Sequence, residues 1–561
     1  MAFDALKTFT PQQRKAIAIY IAGIMMYKFG LECFNGTVVS WATILFDAQA
    51  DRARRPRNTF YQIGVLTGLN QATQCIGAIL VAPLIKRMPT RSLLSYAILC
   101  FGVLTAVLLI VDGATGGRFK PKNVSPNNPA YFGTWNPKGL YPIYTFSGIA
   151  YGIVELIRRV IPRDICGGDA YKLKRMDSVV HIMYEVAGTA GAFASTALIT
   201  DFGNNRSFII TPIFFAVASI IWRFLDDFGF EEARQKRIAN APLSEVEQKK
   251  GFLTGVTSYF VAVGLGFKLF AMTLIRGTQL IFGHRHLVWL FPTYSIALYA
   301  HRYLENAISP AFARRALGQS QWAQIMVGGS NFGELLGATF VFFFTDLVKT
   351  PLPWLRLDAL LILIVWAFVY INPVRRVGTA WRLAGICLPI SLGWAAGDVS
   401  LAAFVQSRLA GGEMGEEGDD VSDLGAVMSW LYSAYIILYA ILNSQLGKFI
   451  DKVTNQRRPV QDALFYVGGV QFSVIGAVIF ASTFIPKGSF AFNPDLIDKD
   501  HIPPEADVER LGGVVDITHD KFPPKEAANR LSVVDGNGSD DIHEKEEHDS
   551  SPPLPTTNKR A

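Results

Sequence analysis

Twelve stretches of the chain are apolar for about 20 residues or more, and that feature limits the possible folds more than any other. Such runs read at about residues 14–46, 59–85, 92–112, 138–162, 176–200, 207–225, 286–309, 320–345, 354–372, 383–407, 425–447 and 462–485. Each is long enough to cross a hydrocarbon layer of about 30 Å as a helix. A helix also satisfies its own backbone hydrogen bonds, which an irregular segment in lipid cannot do. The expected fold is therefore an all-α polytopic membrane protein with about 12 transmembrane helices. Composition agrees, with 50% hydrophobic residues, 18% charged residues and a mean hydropathy of +0.26.

The connections set the expected orientation. Lys86, Arg87 and Arg91 lie between the second and third runs, and Arg163, Lys172, Lys174 and Arg175 between the fourth and fifth. Positive loops stay in the cytosol. The loop from Gly113 to Lys138 then faces outward, and its Asn123-Val124-Ser125 is a glycosylation sequon. The first residues show no cleavable signal pattern, so the first apolar run is expected to target the chain to the membrane, with a cytosolic N-terminus. The net charge of +7 is spread over short connections rather than gathered on one face, which argues against nucleic-acid binding. Cys33, Cys75, Cys100, Cys166 and Cys387 lie in or beside apolar runs without CxxC spacing, as small hydrophobes would.

These features divide the chain into an N-terminal six-helix bundle at 1–225, a linker region at 226–285, a C-terminal six-helix bundle at 286–487 and a disordered tail at 488–561. Within the linker region, Phe252 to Phe282 is apolar but carries Lys268 and Arg276. It reads either as a helix lying in the membrane interface or as a thirteenth span. The flat reading, which is preferred, places Arg314-Arg315, Arg375-Arg376 and Arg457-Arg458 on the outer side. Two stretches 147 residues apart, at 150–165 and 297–312, look alike, and each leads to a helix with close glycines. In the first, Glu155 precedes Arg158; in the second, Arg302 precedes Glu305. This reads as duplication of two pseudo-symmetric halves.

After the second run the chain reads Pro83-Leu84-Ile85-Lys86-Arg87-Met88-Pro89-Thr90-Arg91. With two six-helix bundles and a polar central linker, it resembles the major facilitator superfamily, whose signature at this place is roughly G-x-x-x-D-R-x-G-R-R. Arg87 and Arg91 keep basic positions of that conformational loop, while Lys86 stands in place of the acid and Pro89 in place of a glycine. A second echo is Gly447-Lys448-Phe449-Ile450-Asp451-Lys452. The texture of HRYLEN, GGSNFGELLGA and WAAGDVSLAA is similar to a fungal group of the superfamily with unassigned substrates. The resemblance covers about residues 10–490 and implies solute transport by alternating access.

Ionisable groups inside spans carry the chemistry, because a charge at the bilayer centre costs about 2.5–3.5 kcal/mol on insertion scales and is kept only where it is paired or wet. Lys28 and Glu32 share a face of the first run, and Glu155 and Arg158 a face of the fourth. Asp177, His181 and Glu185 form a stripe in the fifth, fit for proton relay. His301, Arg302, Glu305 and Asn306 form a polar patch, and Asn331, Glu334 and Asp398 add polar groups elsewhere in the second half. The expected substrate or proton-coupling residues are Glu32, Glu155, Arg158, His181, Glu185, His301, Arg302, Glu305, Glu334 and Asp398. A His/Glu pair without a third ligand is too little for a metal site. Without a GxxxxGK[ST] loop or a clustered catalytic set, neither an ATPase nor another enzyme is expected, and no cofactor. The reading is a secondary active transporter of a small organic solute, coupled to protons, glycosylated, and placed in the plasma membrane rather than an internal one. Export is the direction that suits the 12% aromatic content. The alternative is a non-transporting scaffold or receptor that retains the fold.

Overall fold

A computed structural model describes residues 9–85, 88–166, 170–226, 252–344, 347–409 and 423–491. Lys86, Arg87, most of the linker and the tail beyond 491 lie outside the described residues, and with them the expectations made for Arg87 and for tail disorder.

Among the described residues, twelve helices are long and apolar enough to cross a membrane. They are α1 Pro11–Arg52, α2 Thr59–Ile85, α3 Thr90–Ala114, α4 Leu140–Cys166, α5 Ala170–Phe202, α6 Asn204–Arg223, α7 Phe252–Gly283, α9 Ser320–Phe344, α10 Leu352–Tyr370, α11 Val377–Leu409, α12 Asp423–Asn455 and α13 Val460–Ser482. Between α7 and α9, residues 285–315 form a further helix, α8, in which two π segments, Phe291–Ile296 and Leu304–Ile308, interrupt the α-helical turns. π turns inside α-helices concentrate at functional sites, and α8 carries His301, Arg302 and Glu305. α1 opens on a capping box: the Thr10 hydroxyl accepts from the Gln13 amide, and the Gln13 side chain accepts from the Thr10 amide.

The halves repeat one packing plan. In the first, α1 packs on α5, α2 on α4 and α3 on α6; in the second, α8 packs on α12, α9 on α11 and α10 on α13. α8 therefore occupies the place of α1. This corrects the duplication read from the sequence, which paired 150–165 of α4 with 297–312 of α8. Apolar helix pairs resemble one another in composition wherever they sit, so local similarity misassigned the mates. The counterpart of Arg302–Glu305 is Lys28–Glu32, each with the cation first and the acid about one turn later.

α2 against α12 and α5 against α9 join the halves. α2 and α12 run antiparallel: a Cβ on Gly64 would lie 2.7 Å from Asn443 O, and one on Gly68 would lie 3.0 Å from Ala440 Cα. Their tight contact falls at the end that carries the 115–136 loop, the end expected from the charge pattern to face outward and called the outer end below. In that loop Asn123 is exposed. Expression in a eukaryotic host should therefore give a glycan that endoglycosidase removes and Asn123→Gln abolishes; a mass unaffected by either would reverse the orientation or leave the sequon unused.

The same register places Leu80 of α2 level with Val427 of α12 at the inner end. α7 touches α2 there, through Tyr259 Oη to Leu80 O at 3.0 Å and Gly266 beside Ile79. It touches α12 at the same level, where a Cβ on Gly277 would lie 2.5 Å from Ala426 O. α7 therefore crosses the α2–α12 pair rather than running along it. The eleven residues from Gly266 to Gly277 span about 16 Å at 1.5 Å per residue, so the two helices that touch at the outer end are splayed at the inner end. α7 leaves Phe260, Val261, Leu265 and Ile275 exposed.

Candidate functional site

α1, α4 and α5 bring the first group of charges together. Lys28 Nζ lies 2.6 Å from Glu32 Oε1, and Arg158 pairs with Glu155 at 2.6 Å. Tyr27 Oη donates to Glu155 Oε1 at 2.9 Å. The Tyr184 ring stands between both cations, 4.5 Å from Lys28 Nζ and 4.7 Å from Arg158 Cζ. A tyrosine face attracts cations and holds their spacing without neutralising them. Glycine at 188 leaves the lysine its room, since a Cβ there would lie 2.5 Å from Lys28 Cε and push it aside. That same position is 3.3 Å from Asn331 Nδ2 of α9, so the lysine reaches the seam between the halves.

The second group comes from α8, α9 and α11. Arg302 pairs with Glu305 at 2.7 Å, and Ser330 Oγ donates to Glu305 Oε1 at 2.6 Å while also contacting Ser391 Oγ at 2.6 Å. Asn306 Nδ2 donates to the Arg302 carbonyl. The Glu305 side chain is 7% accessible, but that of Arg302 is 37% accessible although α9, α11, α12 and α13 surround its helix. Arg302 therefore lines solvent-accessible space inside the molecule.

Glu185 of α5 and Glu334 of α9 face this seam from opposite halves. Both are buried, and Glu334 lies within electrostatic reach of Glu185, Arg302, Glu305 and Lys28. Glu185 Oε2 has no hydrogen-bond partner among the described residues. Three ion pairs use Lys28, Arg158 and Arg302 against Glu32, Glu155 and Glu305. Glu185 and Glu334 are left with no ion pair among the described residues.

The remaining sequence-selected residues lie elsewhere. His181 is half-buried one turn from Glu185, and its Nε2 has no hydrogen-bond partner among the described residues. The Asp177 side chain lies outside the described residues. Asp398 is half-buried, seven residues beyond Ser391 on α11 and about 10 Å away along the axis. His301 turns away from the seam: its Nε2 lies 3.0 Å from Asp358 Oδ1 of α10, and its ring stacks on Trp394. Arg91, expected in a conformational loop, donates to the Leu225 carbonyl at the end of α6, within its own half.

Sequence reasoning missed an outer-end cluster. Asp47 of α1 is 1% exposed and accepts from Arg314 Nε at 2.9 Å, from both terminal nitrogens of Arg315 at 2.7 and 2.8 Å, and from Thr59 Oγ1 at 2.5 Å. The pairing joins the halves. Nearby, Asn127 Nδ2 donates to Gln319 Oε1 at 2.6 Å, and Asn443 Nδ2 to Thr67 Oγ1 at 2.9 Å. An aspartate near the end of an apolar run was the available signal, but nothing local named its partners.

The helix order, the paired halves and the charged seam are those of a two-body carrier. A family model described as Major Facilitator Superfamily matches residues 13–416. The chain belongs to the major facilitator superfamily. Members of this transporter family are multi-pass membrane proteins, and this chain is one. Among solved structures, the D-xylose–proton symporter is similar with a TM-score of 0.54 and 12% identity, covering 86% of this chain and 98% of that one. A mutant of the nucleoside transporter NupG matches at 0.51 and 14%, covering 82% and 99%. A partially occluded inward-open form of the xylose transporter XylE from E. coli matches at 0.51 and 14%, covering 84% and 96%. At these identities the likeness concerns the fold. A comparison with curated proteins finds no match.

Proposed function

We propose that this superfamily member is a secondary active transporter that couples a small organic solute to protons, with Glu185 and Glu334 as the coupling carboxylates. One observation carries the reading: after three ion pairs are formed, these two acids remain, one on each half, within electrostatic reach of each other and of Lys28. Two buried acids at one seam repel when both are ionised, and a proton on either relieves the repulsion. Rocking about the α2–α12 and α5–α9 contacts separates the acids or brings them together, so solute access and proton occupancy change together. Arg158, Arg302 and Tyr184 offer cationic, hydrogen-bonding and aromatic contacts to the solute. α7 lies along the inner membrane surface with its apolar face in lipid. The plasma membrane is the proposed site and export the proposed direction, the latter supported by the aromatic content.

The test begins with metabolites that accumulate in cells lacking the protein, followed by flux of the leading compound in proteoliposomes. With a proton gradient imposed, Glu185→Gln and Glu334→Gln together should lower concentrative transport at least tenfold, while solute exchange without a gradient persists. Gradient-driven accumulation equal to the parent's would remove the coupling assignment. An absence of flux for every accumulated metabolite would favour the scaffold.

A further inference from the structure

His301 and Asp358 lie behind the central seam, in the interior of the C-terminal half. Asp358 is fully buried and His301 is 2% exposed. Their contact is made possible by Gly393 of α11, where a Cβ would lie 2.9 Å from Asp358 Cα and 3.3 Å from its Oδ1. The imidazole lies against Trp394 with ring centroids 5.1 Å apart and an interplanar angle of 29°. A histidine that serves only to fill a core has both nitrogens satisfied. Here His301 Nδ1 and Asp358 Oδ2 are buried without a hydrogen-bond partner among the described residues. These two unmet polar atoms on one touching pair leave Nδ1 free to take a proton and Oδ2 free to accept a further bond.

We propose that His301 and Asp358 form a second proton-binding site, separate from the central carboxylates, whose occupancy sets how firmly Glu305 holds Arg302. The balance is simple. With Nε2–H donating to an ionised Asp358, the neutral imidazole leaves the pair at charge −1; a proton taken from solvent onto Nδ1 makes imidazolium and carboxylate, with net charge zero. A buried pair of net zero charge is the less costly state in a medium without water. The charged groups facing His301 among the described residues are Asp358 from α10 and, on its own helix, Glu305 with Arg302. α11 presents Trp394, which carries no charge. An imidazolium four residues from Glu305 draws that carboxylate and weakens its hold on Arg302. The guanidinium, already open to the internal space, is then released toward Glu334. Loading a proton behind the site thereby frees a cation within it.

Trp394 supplies a readout that needs no solute, because a protonated imidazole stacked on an indole quenches its emission. The full chain in nanodiscs is titrated between about pH 8 and pH 5, and the Trp394 contribution is taken as the difference from Trp394→Phe. Emission should fall on acidification, and the fall should vanish in His301→Gln. In Asp358→Asn the fall should no longer coincide with the parent's, since the carboxylate that pairs with the imidazolium is gone. Modification of Arg302 by phenylglyoxal, located by mass spectrometry, should rise with acidification in the parent and not in His301→Gln. A fall that persists in His301→Gln, or an Asp358→Asn titration that coincides with the parent's, would overturn the proton site. An acid-dependent rise at Arg302 that survives His301→Gln would overturn its link to Arg302. If His301→Gln does not fold, Asp358→Asn and Trp394→Phe still decide the proton site. None of these measurements involves Glu185 or Glu334, so the central coupling assignment stands or falls separately.

Discussion

Asp47→Asn should drive the molecule out of its outer-closed state by about a hundredfold to several thousandfold. The carboxylate accepts three hydrogen bonds from Arg314 and Arg315, whose side chains are only 17% and 10% accessible. Removing one partner of a buried ion pair costs about 3–5 kcal/mol, because the other charge stays desolvated. Opening the outer end returns both guanidinium groups to water. The penalty therefore falls on the closed form alone and appears as a population shift. Spin labels at the exposed Lys122 and Arg376, one on each half, should show a longer distance distribution in Asp47→Asn than in the parent. Adding Arg314→Gln and Arg315→Gln to Asp47→Asn should recover much of the closed population, since no orphaned charge remains. Such recovery makes the effects of contacting residues non-additive. Distances unchanged by Asp47→Asn would mean that the apolar and amide contacts hold the outer end alone.

The second large effect is expected within the C-terminal half. Gly329, Gly333 and Gly337 form a ladder on α9, and a Cβ at any of them would lie only 2.2–2.4 Å from a backbone carbonyl oxygen of α11, those of Ala384, Leu388 and Leu392, well short of van der Waals contact distance. Lipid gives helices no hydrophobic reason to associate, so this backbone approach is a main source of their dispersion contacts. The obstacle is main chain and has no rotamer by which to yield. Overpacking of a tight core costs about 1–3 kcal/mol and occasionally more, and Gly333→Val adds three carbons at the middle of the ladder. Its thermal midpoint should drop sharply, with loss of the monodisperse peak. Gly385→Val on α11 is the control, because a Cβ there meets nothing within 4 Å. Equal behaviour of the two variants would show that the ladder is not close-packed.

How far the site could be read beforehand differs from residue to residue. Lys28 with Glu32, and Glu155 with Arg158, were legible as local pairs because a helix fixes which neighbours share a face. The partner of His301 was not, because Asp358 approaches from another helix. Asp47 was passed over for a related reason: its partners are 267 and 268 residues away. The pairing of α4 with α8 failed because apolar helix pairs share composition whether or not they share a place in the bundle.

The sequence by itself determined the solvent and the element type: twelve apolar runs separated by polar connections leave a bundle of membrane helices as the available fold, because lipid cannot satisfy an open backbone. It also marked which helices carry charge that lipid would not tolerate unpaired. Tertiary structure alone decided which charges meet across the seam, which two acids are left over, and that α7 crosses its neighbours instead of running beside them. Those outcomes depend on how helices hundreds of residues apart approach one another, and that is governed by packing of small residues against distant backbones, a quantity with no local period to read.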